Sequence, residues 1–419
     1  MNIYNLTRPL LVGYCFLFVP LYVWASFFGY APYVFMSVLL LAALIFHATI
    51  SHLLSGRALS SSIAIPRNST FTAAIAAISL ITFSILLYYA GGDRVDYAGR
   101  SMFTTNFGLV LNYIAWLGIG ISIARGIALS QDHMCRALGA TWLISTLFFV
   151  TQIDSATGGI SFSSEVSEKK SMYLLFADFY AVSALMLMGL TRSVKTSLLV
   201  AIISAALLFF LESRASLFFF LATACLYYLL SKSAGNKALA GLTLLVSVAL
   251  LTTVDFTQYE SAGRMTVFFE RGLQADASFI GRVKLLTDGI GDTLESPILG
   301  AYNSLVEKNN NVTAYIHNIL SYWQLYGLPV FLLMSFLLVY KPATFIRRNL
   351  LRRTISGIDP AVRLTSLMCL FVLLQVITAR AYVWHFSWLL IGLISVVGHE
   401  RSVPSPRASS ADDERSGLG

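Results

Sequence analysis

Apolar runs long enough to cross a bilayer recur along the whole chain, parted by short polar breaks. A hydrocarbon core of about 30 Å takes about 20 apolar residues of helix. Twelve stretches fit: 10–29, 30–50, 70–90, 106–124, 137–153, 171–190, 196–212, 215–231, 238–254, 316–340, 364–380 and 383–398. Only Glu212-Ser213-Arg214 parts the seventh from the eighth. The first two meet at Gly29-Tyr30-Ala31-Pro32, a turn signal. The first run is longer than the apolar part of a signal peptide and follows a single base, Arg8, so it reads as a retained helix. The organisation expected is nine spans in 1–254, a large outer loop at 255–315, three spans in 316–398, and a disordered tail at 399–419, rich in Ser, Pro and charge.

The large loop carries a different period. Phe279, Val283, Leu286, Ile290 and Leu294 form one apolar stripe of a helix. Asp276 or Ser278 suits its N-cap, and Pro297 lies past its end. Lys284, Asp288 and Glu295 fall on the opposite face, and Arg282 on the stripe's border. With the stripe laid on the bundle, Arg282 would sit at a protein–protein seam.

Composition agrees with the pattern. Of 419 residues, 57% are hydrophobic and 12% charged, and mean hydropathy is +0.72. Soluble domains carry about a quarter charged residues. That excludes a soluble globule, a disordered chain and a fibrous one, and leaves an all-α polytopic membrane protein. The net charge of +8, from 29 Lys+Arg against 21 Asp+Glu, is then no sign of a nucleic-acid partner, because bases gather on the cytoplasmic side. One set of loops holds Arg57, Arg67, Arg125, Arg136, Arg192, Lys195, Lys232, Lys237 and the basic segment 341–363. Both termini fall on that side. The opposite side holds Asp93, Asp96, Asp154, Glu165, Glu168 and the acids of 255–315.

Segment 341–363 has no glycine-rich phosphate loop, and a nucleotide-binding βαβ unit takes about 30 residues or more. The chain is not expected to use a cytosolic nucleotide donor. Its bases read as topogenic, with contact to anionic lipid. The four cysteines have no metal-ligand spacing and suggest no disulfide framework. Asp93-x-x-Asp96 and Asp288-x-x-x-Asp292 lack a third ligand, so neither a metal nor another cofactor is expected.

Ionisable residues do collect at the outer span ends. Arg214, wedged between two apolar runs, needs a partner such as Glu212 or an anionic ligand. Asp178 lies about two turns into the sixth span, either in a functional role or paired with an arginine. His317, Ser321 and Gln324 share one edge at the start of the tenth span, a candidate pocket lining. Asn318 follows His317 directly. Arg380, Tyr382, Trp384 and His385 occupy the last outer turn, where Tyr and Trp read as an interfacial belt. Arg214, Arg282 and Arg380 together suit a phosphate or diphosphate. With no cytosolic nucleotide site, a membrane lipid would carry it.

Several of these residues stand in a familiar order. Glu212-Ser213-Arg214-Ala215 resembles the Ser-Arg-(Gly/Ala) turn of the O-antigen ligase and polymerase superfamily. Gly281-Arg282 followed by Ser296-Pro297-Ile298-Leu299-Gly300 resembles that family's Arg-to-(Pro-x-x-Gly) segment. Tyr315-Ile316-His317-Asn318, with Tyr326-Gly327, resembles its His-Asn helix start. One departure is Ala301-Tyr302-Asn303, where the family's second glycine is expected.

The resemblance implies a metal-independent, inverting glycosyltransferase of the GT-C type in the bacterial inner membrane. It would act at the periplasmic face on an undecaprenyl-diphosphate-linked glycan. Arg214 and Arg282 would hold the diphosphate, and His317 would serve or orient the acceptor hydroxyl. By their position at the same outer boundary, not by the resemblance, Arg380, Asn318, Asp178, Glu212 and Lys284 are candidates to contact substrate. The context of Tyr315–Gly327 favours a polymerase making O-antigen or exopolysaccharide, with a flippase and a chain-length regulator as partners. The alternatives are a ligase delivering the glycan to lipid A-core and, further off, a flippase or secondary transporter. The last usually shows internal repeats and midplane polar sites, which are not apparent here.

Overall fold

The computed structural model describes residues 4–18, 33–55, 66, 68–91, 96–97, 100–153, 160, 172–211, 213–230, 235, 237–238, 241, 277–302, 308, 315–350, 358–380 and 382–398. These are helical almost throughout. The helices are α1 (Tyr4–Gly13), α2 (Tyr33–Ser55), α3 (Ser69–Ala90), α4 (Met102–Thr151), α5 (Met172–Leu190), α6 (Val194–Phe210), α7 (Arg214–Leu229), α8 (Ala277–Glu295), α9 (Ser321–Ser335), α10 (Lys341–Asn349), α11 (Pro360–Thr378) and α12 (Phe386–Val397). A π turn, Phe336–Tyr340, joins α9 to α10. Two short strands, Asp96–Tyr97 and Arg100–Ser101, pair antiparallel before α4.

Four helical stretches are long and apolar enough to cross a bilayer: Ser69–Ala90, Met102–Thr151, Ser321–Asn349 and Pro360–Thr378. Shorter apolar helices pack among them. This is the architecture of an all-α membrane protein. Side chains such as Phe83, Leu147, Leu199 and Leu332 stand outward on these helices, as a lipid-facing surface requires. The expected ninth span, most of the large loop and the tail lie outside the described residues.

Two expected spans, 106–124 and 137–153, belong to α4, whose 50 residues would extend about 75 Å at 1.5 Å each. That is far more than one crossing needs. Ser130 breaks the helix with φ −160° and ψ 74°. Its hydroxyl bonds His133 Nδ1 across the break. Gly126 lies against the Met134 side chain, which shows that the arms fold back on each other. The basic segment is also corrected: the helix does not stop at 340 but runs on through α10 to Asn349.

Packing relies on close approach, since lipid tails supply little hydrophobic drive between helices. A Cβ on Gly120 of α4 would collide with the backbone of Leu389 in α12, and one on Gly392 with that of Leu117. Around this crossing Trp116 meets Phe16 and Phe386 edge-on, and Tyr113 stacks on Trp388 at 4.9 Å.

The stripe of α8 does not lie on the bundle. Phe279, Val283, Ile290 and Leu294 are exposed, whereas Gly289, Asp292 and Thr293 are buried. A Cβ at Gly289 would strike the Ile316 side chain, so this narrow side is the one that seats. An apolar stripe marks the inward face only when water lies outside; next to a bilayer that sign reverses.

Candidate functional site

At one end of the bundle the start of α7, the second turn of α5, the His317 loop and the α11–α12 turn converge. Asp178 of α5 is 2% exposed and organises them. Its Oδ1 accepts from Ser216 Oγ at 2.6 Å and from Arg380 Nη2 at 2.9 Å. Its Oδ2 accepts from Trp384 Nε1 at 2.8 Å. Arg380 Nε also lies 2.9 Å from Oδ2, but not aligned as a hydrogen bond. Ser213 and Ser216 hydroxyls stand 2.7 Å apart. With the Ser216 proton committed to Asp178, Ser213 is the donor between them. The turn that presents Arg214 is thereby tied to the turn that presents Arg380.

Asp178 was expected either to contact substrate or to pair with an arginine, and the pair is what the structure holds. Both of its oxygens are spent on protein, and what it does is hold Arg380 against Ser216 and Trp384. Tyr382, Trp384 and His385 are likewise not an interfacial belt: all are buried. Trp384 serves Asp178, Tyr113 Oη donates to the Tyr382 carbonyl at 2.9 Å, and His385 stacks on Trp116 at 4.6 Å.

His317 is half-buried beside Tyr315, ring centroids 4.9 Å apart. Burial, and then the positive charges of Arg282 and Arg380, pull its pKa down from 6.5 to about 4. Arg282 from α8 and Arg380 from the α11–α12 turn are thus near enough for their charges to act on one imidazole. Arg282 is half-buried and shares a wheel position with the buried Gly289, although the stripe from which its seam position was expected faces outward. Asn318 Oδ1 accepts from Leu320 N–H at 2.9 Å and fixes the turn after His317. Lys284 is exposed and makes no ion pair with this cluster among the described residues. Glu212 lies outside the described residues.

The edge read as a pocket lining is scaffold. Ser321 Oγ accepts from Tyr382 N–H at 3.0 Å, and Gln324 Oε1 from Ile316 N–H at 3.0 Å. Gln324 Nε2 donates to Asp292 Oδ2 at 3.2 Å, and Lys308 Nζ donates to Asp292 Oδ1 at 2.6 Å. The ammonium's bonds to Asp292 and then Glu295 raise its pKa. These contacts clamp α8 to α9 around His317.

The two glycine motifs also dock. Gly300 and Gly327 both have φ +81°, a conformation that costs any other residue. Leu328 N–H donates to the Pro297 carbonyl at 3.0 Å, Ala301 N–H to that of Gln324 at 2.7 Å, and Trp323 Nε1 to that of Pro297 at 2.9 Å. A Cβ on either glycine would overlap backbone of the other segment.

No family model, curated protein or solved structure matches this chain. The site therefore rests on its own geometry.

Sequence reasoning missed Gln375. It is wholly buried on α11, and its backbone carbonyl accepts from the Ala379 and Arg380 N–H groups. Its side-chain amide bonds nothing among the described residues, although buried polar groups are nearly always satisfied. The i, i+5 spacing from Arg380 carries no signal for such a residue. Among the described residues, no three His, Cys, Asp or Glu side chains gather as metal ligands.

Proposed function

We propose that this chain is an inner-membrane glycosyltransferase that polymerises undecaprenyl-diphosphate-linked oligosaccharide units at the periplasmic face. The observation that carries the reading is the Arg380–Asp178–Ser216–Ser213 chain of hydrogen bonds, which ties the turn before Arg214 to the turn that presents Arg380. Fixed guanidinium groups suit a diphosphate leaving group, because charge develops there as the bond to the sugar breaks. Arg214 directly follows Ser213, whose hydroxyl belongs to that chain of bonds. In the step, an acceptor hydroxyl oxygen attacks the anomeric carbon and its proton passes to His317. The carbon–oxygen bond to phosphate breaks with inversion, and the diphosphate leaves with the electron pair between the arginines.

This arrangement also gates the base. An imidazole depressed to about 4 is a weak proton acceptor. A bound diphosphate offsets the arginine charges and raises basicity part of the way when the donor is in place, the effect of burial remaining. The test uses purified protein and a lipid-diphosphate oligosaccharide. Chain lengthening is expected, with Arg214→Ala, Arg282→Ala and His317→Ala each inactive at normal protein levels. Full polymer ladders from all three variants would refute the site. Transfer to lipid A-core without lengthening would make the enzyme a ligase.

A further inference from the structure

The opposite end of the bundle holds a cavity of about 550 Å³. It lies among the start of α3, the end of α10 and the end of α12. Lys341 and Arg348 line it, and among the described residues no carboxylate does. Ser69 and Thr70 add their hydroxyls, and Tyr340 and Val397 give it apolar wall. Lys341 Nζ donates to Ser69 Oγ at 3.0 Å and sits 4.9 Å from the Phe336 ring centroid, which anchors the ammonium at the rim. Arg348 is exposed and forms no ion pair among the described residues. The first N–H groups of α3 lack intrahelical acceptors, and Asn68 Oδ1 takes only that of Phe71. Two cations, hydroxyl donors and a helix N-terminus around one space favour an anion.

We infer that this cavity binds a phosphate group, carried by an anionic phospholipid whose chains run along Tyr340 and Val397. It is separate from the His317 cluster by the length of α9 and the π turn, roughly 30 Å of helix, and does not depend on the glycosyl-transfer reading. Arg347 is the internal control, since it neighbours Arg348, is exposed, and does not line the cavity.

Native mass spectrometry of the full chain, titrated with phosphatidylglycerol, should show one saturable site, with phosphatidylcholine far weaker. Arg348→Gln should weaken it about tenfold, the loss expected for one charged hydrogen bond. Arg348→Lys should retain most of it, which separates charge from a folding defect, and Arg347→Gln should leave it intact. Millimolar inorganic phosphate that displaces the lipid supports the phosphate group as the feature bound. Saturable phosphate binding without any lipid preference would assign the site to a soluble anion. Equal binding of both lipids without phosphate binding, or equal weakening by Arg347→Gln and Arg348→Gln, would overturn the inference.

Discussion

Arg380 and Asp178, 202 residues apart in the chain, meet with Nη2 donating to Oδ1 at 2.9 Å. Side-chain exposures of 10% and 3% make this a buried pair. Removing one partner of such a pair leaves an uncompensated charge and costs about 3–5 kcal/mol. Asp178→Asn should therefore lower the Tm of the purified protein sharply and abolish synthesis. Asp178→Asn with Arg380→Gln should recover stability but not synthesis. A double variant as unstable as the two single losses added together would show that the pair is not coupled.

His317 makes a prediction about pH. Its pKa of about 4 in the folded protein lies below the ordinary 6.5. The unfolded chain therefore binds the proton more readily. Its neutral form favours folding fully above pH 6.5, and that contribution drains away as pH falls towards 4. For catalysis, the acid limb of kcat/KM should fall near 4, because it reports the free enzyme. The limb of kcat should lie higher, since bound diphosphate shields the arginine charge. Arg282→Gln should raise the His317 pKa in the free protein, read by NMR titration of the imidazole and needing no turnover. Superimposable limbs in wild type would argue against diphosphate beside His317.

Ser321 and Gln324 separate scaffold from pocket. Both are wholly buried and bonded to the backbone of neighbouring segments. Ser321→Ala and Gln324→Ala should each cost about 1–3 kcal/mol through an orphaned N–H. Donor binding by the folded fraction should change little. A large rise in KM with unchanged Tm would return these residues to the pocket wall.

Much of this was legible because its causes are local. Span positions follow from apolar length, and the α9 and α11 segments appear where the runs place them. Other features depend on partners far along the chain. The Ser130 break carries no glycine or proline, only a serine whose hydroxyl bonds His133. That Asp178 would seek an arginine was readable, but its choice of Arg380 needs the packing of α5 against the α11–α12 turn. The facing of α8 failed for a physical reason: amphipathicity reports which side is apolar, not whether protein or lipid lies there.

Gly300 and Gly327 offer a stability test with its own control. Alanine at either would be forced to φ +81° and into backbone of the other segment. Each substitution should destabilise by about 1–3 kcal/mol or more from strain alone. Gly291→Ala, on the exposed side of α8 with nothing within 4 Å, should instead stabilise by about 1 kcal/mol. Thermal unfolding of the three variants in detergent checks both signs. An unshifted Gly327→Ala would mean that the docked segments separate at little cost.

That mutual fit reaches past stability into heredity. Neither glycine's space can be filled by enlarging the other, because each is crowded by main chain, which cannot be trimmed by substitution. A library randomised at both positions should return the original pair and almost nothing else. A lineage that lost one would have to rebuild the path of the opposing segment before the other could drift.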